Sequence, residues 1–212
     1  MNKNELKSIA EGLIETFNIA GQESIELYAK GLKIEIKADN SPVSNGDLRC
    51  NELITKKILE LTPNIPIVSE ETVDLKIKNK NKIFWLIDPI DGTKEYIAGK
   101  NEYTLNAALI IDKVPSIGLV GAPKKRQLFY SYGLGESYII ENDKKVKNNC
   151  AKKTPKDEVI ALSSASHPSE EIMSVLKKHN VTSVVKMSSS YKFCAIANGE
   201  FDIYAAKERA HE

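Results

Sequence analysis

The residue types that could do chemistry are concentrated in residues 88–93, which read DPIDGT. Asp88 follows an apolar run, and Pro89 removes a backbone donor and fixes one dihedral angle. Asp91 therefore lies close to Asp88 in a stiff turn, which Gly92 allows the backbone to close tightly. Two carboxylates held this close repel each other unless a cation lies between them. Oxygen ligands of this kind favour hard cations such as Mg²⁺, Mn²⁺ or Ca²⁺.

Two further acidic positions precede this segment. Glu70 and Glu71 follow a short apolar stretch, and Asp39 lies in a loop that contains Ser41 and Pro42. We expect these carboxylates to join those of residues 88–91 in one rigid cluster. Such a cluster suits two-metal hydrolysis of a phosphate ester, in which one ion activates water and the other stabilises the leaving oxygen. Taken singly, Asp-Pro and Asp-Gly are ordinary turn dipeptides, and adjacent glutamates are an ordinary solvated pair.

The elements that must position these groups follow from hydrophobic periodicity. Helical spacing predicts amphipathic helices over 4–19 and 48–61, the second entered through a capping box of Ser44 and Asp47. Alternation predicts a half-buried strand over 31–37, and the apolar run 82–87 predicts a strand buried on both faces. Further strands are predicted at 65–69, 103–111, 114–120, 127–132 and 137–140, with a hairpin turn at Asp112 and Lys113.

The pattern changes after residue 141. The polar stretch 142–157 predicts little regular structure, and we place a subdomain boundary there. Beyond it, strands at 159–162, 181–186 and 201–204 alternate with helices at 168–179 and 190–198, the second ended by Gly199. This alternation is typical of an α/β unit. The sequence therefore predicts an α/β protein, an α+β layered sandwich, with a metal-binding subdomain over 1–141 and a second subdomain over 142–212.

Composition excludes several classes of function. The 212 residues are 42% hydrophobic, and 30 Lys and Arg balance 29 Asp and Glu to a net charge of +1. This profile is typical of a globular protein and lacks the basic excess of a bulk nucleic-acid binder. No apolar run reaches the roughly 18 residues of a membrane span, and residues 1–5 lack the apolar core of a signal peptide. With three scattered cysteines, we expect a reduced, cytoplasmic protein, with peripheral inner-membrane association as an alternative.

These residues resemble the inositol monophosphatase-like superfamily of Mg²⁺-dependent, lithium-sensitive phosphatases. The resemblance rests on residues 69–71 (SEE), on 88–93 (DPIDGT) and on the loop 37–43 (KADNSPV). Within the superfamily the sequence is most similar to the CysQ-type 3′(2′),5′-bisphosphate nucleotidases, because of residues 94–97 (KEYI) and the stretch 189–204. The resemblance covers nearly the whole chain from residue 4. It implies the αβαβα fold of inositol monophosphatase and fructose bisphosphatase, with its C-terminal part incomplete.

The resemblance also implies a reaction and a set of metal ligands. The reaction is removal of the 3′-phosphate of adenosine 3′,5′-bisphosphate by metal-activated water, giving AMP and phosphate. Glu70, Asp88 and the main-chain carbonyl of Ile90 would hold one Mg²⁺, and Asp88 and Asp91 would hold a second. Asp39 would contribute to a third, weaker site, and Mn²⁺ is an alternative ion.

Further roles are implied by the same family pattern. Thr93, with Glu70 or Asp39, would orient the attacking water, and Asp91 belongs to the same catalytic set. The amides of Gly92 and Thr93 would hold the scissile phosphate, which suits exposed N–H groups in a tight turn. The residues 142–212 would form a nucleotide pocket. The implied substrate-binding residues are Glu70, Ile90, Asp91, Gly92, Thr93, His167, Ser189 and Lys192.

The sequence departs from the family pattern in three places. Ala165 replaces the arginine of a Ser-Arg-Ser-His motif, and Ala205 and Ala206 follow Tyr204 where the family commonly has an arginine. The family continues with Trp-Asp-x-Ala-Ala-Gly, whose Asp is a ligand of the second metal, whereas this sequence ends at residues 211–212. We therefore expect a truncated form with weaker binding of the second ion and strongly reduced activity.

Two alternatives stay open. One is a neighbouring phosphatase that acts on inositol phosphate, fructose bisphosphate, histidinol phosphate or another sugar phosphate. The other is a non-catalytic regulatory protein that binds a nucleotide or RNA, although intact Glu70, Asp88, Asp91 and Thr93 argue against it. The expected partner is a small phosphorylated nucleotide, with no nucleic acid and with a monomer or homodimer as the assembly.

Overall fold

The computed structural model describes residues 1–72, 81–150, 158–164 and 170–206. The chain divides into two compact units, Met1–Lys147 and Asn148–Glu212. The first unit extends past residue 141 because residues 144–147 form a strand that pairs with residues 137–141. Asn142 and Asp143, which join these strands, have φ angles of 49° and 61°, as a tight hairpin turn requires. Part of the stretch predicted to lack regular structure is thus a strand.

The first unit contains helices and strands in mixed order. Its helices are α1 (Lys3–Gly12), α2 (Ile14–Lys30), α3 (Asn45–Leu61) and α4 (Thr93–Ile97). Its strands are β1 (Ile34–Ile36), β2 (Pro42–Ser44), β3 (Ile67–Ser69), β4 (Ile83–Asp91), β5 (Thr104–Ile111), β6 (Val114–Ala122), β7 (Gln127–Tyr132), β8 (Ser137–Glu141) and β9 (Lys144–Lys147).

The helix predicted over 4–19 is two helices. The side chain of Asn2 accepts a hydrogen bond from the Glu5 amide at 3.0 Å, and the Glu5 carboxylate accepts from the Asn2 amide at 2.7 Å. This capping box satisfies amides at the start of α1. The chain breaks at Leu13, and α2 then continues to Lys30, where Gly31 with a φ of 95° ends it. The predicted helical spacing of apolar residues is correct, but the sequence near Leu13 contains no motif that predicts a helix boundary there.

Strands β3 to β9 form one seven-stranded sheet in chain order. Strands β3 and β4 are parallel, and each later neighbour is antiparallel. Helices α1, α2 and α3 cover one face of this sheet. Apolar side chains of both layers are buried between them, among them Phe17 and Ile54 of the helices and Trp85, Leu109 and Leu119 of the sheet. Removal of this apolar surface from water is the main force that holds the helices on the sheet.

Two predicted burial patterns are wrong. Strand β4 is buried on one face only, since Trp85 and Ile87 are buried while Leu86 is 48% exposed. Strand β1 pairs only with β2 in a separate hairpin, and Ile36 is 66% exposed. All three residues of β1 are exposed, so neither of its faces is buried.

The second unit has the predicted alternation of strands and helices. It contains β10 (Val159–Ser163), α5 (Glu170–Lys178), β11 (Val181–Lys186), α6 (Tyr191–Ala197) and β12 (Ile203–Tyr204). The strands form a parallel sheet in the order β11, β10, β12. Gly199, with a φ of 77°, follows α6 as expected. Within the described ranges, no helix is long and apolar enough to cross a membrane.

Candidate functional site

The parallel pairing of β3 with β4 brings the two acidic segments of the sequence together. Ser69 lies opposite Ile87 in the ladder, and the amide of Glu70 donates to the carbonyl of Ile87 at 3.1 Å. Glu70 therefore leaves β3 directly beside Asp88. Backbone hydrogen bonds bring the carboxylates together, as their positions after two apolar runs predict.

A bulge in β4 sets the positions of the two aspartates. Asp88 lies opposite Asn106 and Asp91 opposite Thr104 in β5, with an irregularity between them that contains Pro89 and Ile90. Proline in a central strand requires such an irregularity because it has no amide to donate. The strand therefore continues to Asp91, beyond residue 87 where the sequence predicts its end. Both aspartates keep fixed positions in the sheet.

Asp88 is the most perturbed carboxyl of this group. Burial, the negative charges of Asp91 and Glu70, and a hydrogen bond shared with Glu70 raise its pKa to about 8. Its Oδ1 atom is buried and has no hydrogen-bond partner among the described residues. A buried carboxylate oxygen without a donor is costly, and a hard cation is the partner that would satisfy it.

The three carboxylates thus fit a divalent cation in chemistry and charge. No group of three or more acidic, His or Cys side chains in the described ranges is already arranged to hold a metal. Glu70 is the most exposed of the three, since its side chain is 45% exposed, and it lies 3.6 Å from the ammonium of Lys37.

Thr93 is held by a residue that the sequence analysis assigns only to a helix cap. The Thr93 hydroxyl lies 3.0 Å from Oδ1 of Asp47 and 3.1 Å from the carbonyl of Ile90. These hydrogen bonds go to neither Glu70 nor Asp39, the residues with which Thr93 is predicted to orient the attacking water. Asp47 is fully buried, and this burial raises the pKa of its carboxyl.

The capping box at the start of α3 fixes the orientation of Asp47. The amide and hydroxyl of Ser44 donate to Oδ2 of Asp47 at 2.8 and 2.6 Å, which leaves Oδ1 for Thr93. The hydroxyl of Tyr96 in α4 donates to the carbonyl of Ser24 at 2.6 Å and anchors α4 on α2. The sequence signal for Asp47 was the capping box itself, but its second role depends on this packing.

Asp39 lies in a different environment from the other predicted acidic residues. Its exposed carboxylate accepts from the Ser41 amide at 2.9 Å and the Ser41 hydroxyl at 2.6 Å. These two hydrogen bonds lower the pKa of Asp39. They close the turn between β1 and β2, and no described contact joins Asp39 to Thr93.

Gly92 permits the tight turn that the sequence predicts. Its φ of 93° lies in the left-handed region, and a Cβ atom would lie 3.1 Å from the carbonyl of Glu102. Thr93 follows at once as the first residue of α4. The turn therefore requires glycine both for its conformation and for space.

Two predicted substrate residues of the second unit, Ser189 and Lys192, follow the carboxyl end of β11. Ser189 has a φ of 56° and is buried, and Lys192 donates to its carbonyl at 2.6 Å. The hydroxyl of Ser164, just after β10, lies 3.4 Å from that of Tyr204. Ligands of parallel sheets commonly bind at this edge. His167 lies outside the described residues.

Comparison with known proteins decides the family. A profile of the inositol monophosphatase family matches residues 5–212. The chain belongs to the inositol monophosphatase family. It is 33% identical over 206 residues to the 3′(2′),5′-bisphosphate nucleotidase CysQ of Buchnera aphidicola subsp. Acyrthosiphon pisum, covering 95% of this chain and 76% of the relative. It is 35% identical over 188 residues to CysQ of Escherichia coli O157:H7, covering 87% of this chain and 75% of the relative.

Solved structures share the fold. CysQ of Bacteroides thetaiotaomicron superposes with a TM-score of 0.73 and 29% identity, over 93% of this chain and 79% of that one. An IMPase/NADP phosphatase solved with Mg²⁺ and phosphate gives a TM-score of 0.74 at 16% identity, over 92% of this chain and 73% of that one. The family is metal-dependent, and Mg²⁺ is bound in this second structure.

Proposed function

We propose that the protein is a Mg²⁺-dependent phosphomonoesterase that removes the 3′-phosphate of adenosine 3′,5′-bisphosphate, giving AMP and phosphate. The similarity to CysQ nucleotidases, at 33–35% identity over most of the chain, carries the choice of substrate. The buried, unpartnered oxygen of Asp88 beside Asp91 and Glu70 supports a cation-dependent reaction at this site.

Glu70, Asp88, Asp91 and the carbonyl of Ile90 are the groups that would hold two ions. Bound Mg²⁺ would supply charge neutralisation and lower the pKa of an attacking water. The chain's own contribution is to keep three negative side chains within one turn and one strand end. That arrangement attracts cations, and Oδ1 of Asp88 is buried from bulk water.

Thr93 and Asp47 would move the proton of the attacking water. When the Thr93 hydroxyl donates to Oδ1 of Asp47, a lone pair of its oxygen is free to accept a proton from water. The proton would pass from water to Thr93 Oγ1 while the Thr93 proton passes to Asp47 Oδ1. The raised pKa of Asp47 favours this step, because a more basic carboxylate accepts the proton more readily.

Binding groups for phosphate and for the nucleotide are proposed in each unit by itself. The amides of Gly92 and Thr93 follow the aspartate turn and are the proposed donors to the scissile phosphate. Ser189, Lys192 and His167 are the proposed contacts of the rest of the nucleotide, with Lys192 as a point charge for phosphate.

Phosphate release from adenosine 3′,5′-bisphosphate in the presence of Mg²⁺ tests the proposal. We expect turnover in the wild-type chain and its loss in Asp88→Asn. Asp112→Asn is the matched control, since Asp112 is an exposed residue of the β5–β6 turn. Retained activity in Asp88→Asn would remove this mechanism. Faster hydrolysis of inositol 1-phosphate than of the nucleotide would instead replace the substrate and keep the chemistry.

A further inference from the structure

The consecutive residues Glu70 and Glu71 have very different environments. The Glu71 side chain is only 4% exposed, whereas that of Glu70 is 45% exposed. The two carboxylates therefore cannot play the same part at the site. Buried carboxylates need a paired cation, while a half-exposed one remains accessible to an ion from solution.

Lys37 is the cation that Glu71 uses. Its ammonium lies 2.9 Å from one oxygen of Glu71 and 2.8 Å from the other, and it lies 3.6 Å from Oε1 of Glu70. The Lys37 side chain is 24% exposed, so this ion pair is well shielded. The Lys37 ammonium thus contacts both carboxylate oxygens of Glu71, whereas its contact with Glu70 is longer.

The backbone on both sides of this ion pair is held in place. The Lys37 amide donates to the carbonyl of Ser41 at 2.8 Å, within the turn of the β1–β2 hairpin. The Thr72 amide donates to the carbonyl of Ser69 at 3.1 Å, closing the turn that contains both glutamates. Small side-chain movements are therefore enough to transfer the ammonium from Glu71 to Glu70.

We propose that Glu71 is a positioning residue that holds Lys37 on itself and so leaves Glu70 available to a divalent cation. This inference rests on the proposed metal site at Asp88 and Glu70. The Lys37–Glu71 pair is neutral as a whole, so it adds no net charge beside that site. Removal of either partner alone would change the local charge, and the two removals act in opposite directions.

If Glu71 lost its charge, the Lys37 ammonium would no longer be held by Glu71 and would pair with Glu70 instead. The ammonium would then compete with the cation for Glu70, and cation binding would weaken. Without the Lys37 ammonium, the buried charge of Glu71 would remain uncompensated near the site, and cation binding would tighten. A unit charge within a few ångströms of a partly shielded site changes affinity by about tenfold.

Isothermal titration with Mg²⁺ tests the proposal directly and needs no turnover. We expect the dissociation constant to rise about tenfold in Glu71→Gln and to fall in Lys37→Met. The double variant should return to within about threefold of wild type, because it removes the pair as a unit. The controls are Glu35→Gln and Lys33→Met, which make the same charge changes in the β1 region. Neither control residue forms an ion pair among the described residues.

Opposite shifts separate this role from a purely structural one. If the Lys37–Glu71 ion pair only stabilised the β1–β2 hairpin, both single variants would weaken Mg²⁺ binding. That result would overturn the inference. If Glu71→Gln does not fold, Lys37→Met must still bind Mg²⁺ more tightly than the double variant. A wild-type chain that binds no Mg²⁺ would overturn both this inference and the proposed metal site. Mg²⁺ binding with the expected shifts but no phosphate release would overturn the proposed function alone.

Discussion

The hydroxyl of Thr93 lies 3.0 Å from the carboxylate of Asp47, a residue 46 positions earlier in the chain. The other carboxylate oxygen of Asp47 is taken up by the amide and hydroxyl of Ser44. The same carboxylate thus caps a helix with one oxygen and holds a threonine with the other. This division makes Asp47 a rigid acceptor, as a proton relay requires.

Thr93→Val should lower kcat by about a hundredfold or more, since general-base assistance contributes roughly 10²–10⁴ in rate. Valine keeps the shape of threonine but cannot accept a proton from water. Thr93→Ser should retain most activity because it keeps the hydroxyl. KM should change little in both variants. Thr182→Val, an exposed position in β11, is the control, and equal rates for Thr93→Val and this control would contradict the relay.

Asp88→Asn should stabilise the metal-free protein and abolish its response to Mg²⁺. The wild-type side chain places a carboxylate in a buried position beside Asp91 and Glu70. Because the pKa of Asp88 is raised to about 8, the folded metal-free protein keeps this carboxyl largely protonated at neutral pH while the unfolded chain ionises it, which lowers stability. A neutral amide removes that loss of stability and also removes the ligand for a cation. Differential scanning fluorimetry should show a melting temperature that rises with Mg²⁺ in wild type and in Asp112→Asn, but not in Asp88→Asn. A wild-type melting temperature insensitive to both EDTA and Mg²⁺ would contradict the cation site.

Local features of the site are readable from sequence because they depend on neighbours in the chain. The capping box of Ser44 and Asp47 has a spacing signature, and the hairpin turn at Asp112 lies where strand patterns on both sides end. The proximity of Glu70 to Asp88 also follows, since each comes directly after an apolar run that predicts a strand. In each case a pattern within a few residues is enough.

Other features depend on packing between distant segments and have no such signature. The approach of Asp47 to Thr93 requires α3 and α4 to meet at Tyr96. The contact of the Lys37 ammonium with both oxygens of Glu71 depends on how the β1–β2 hairpin packs against the end of β3. Exposure of Ile36 depends on the absence of a covering element in the described chain, which alternation alone does not report.

Gly46→Ala should destabilise the fold by about 1–3 kcal/mol, as overpacking of a tight contact does. A Cβ atom at this position would lie 2.5 Å from the Tyr96 hydroxyl oxygen and 2.6 Å from its ring. Tyr96 is buried and its hydroxyl donates a hydrogen bond to the carbonyl of Ser24, so the ring cannot move aside freely. Because Asp47 is the next residue, activity should fall as well.

Urea unfolding measures the free energy of unfolding of Gly46→Ala and of the control variant Gly12→Ala, each relative to wild type. Gly12 is a matched helical glycine whose Cβ would meet only the flexible end of Leu61, at 3.2 Å. Alanine there should be neutral or stabilising, since it favours the helix. Equal unfolding free energies for the two variants would show that the Tyr96 contact imposes no constraint.

Glu136→Gln should lower the free energy of unfolding near neutral pH and have little effect in acid. The Lys3 ammonium donates to Glu136 at 2.7 Å, and with the Tyr138 hydroxyl it lowers the pKa of this carboxyl from 4.5 to about 2. A lowered folded-state pKa contributes stability above the unfolded value of 4.5, and this contribution is lost as pH falls toward 2. The difference in free energy of unfolding between wild type and Glu136→Gln should therefore be constant above pH 5 and should decrease toward zero between pH 4.5 and 2. Urea unfolding at pH 7, 5 and 3.5 measures it, with Glu35→Gln as the exposed control. A difference that widens as the pH falls would contradict the ion pair between α1 and the β7–β8 hairpin.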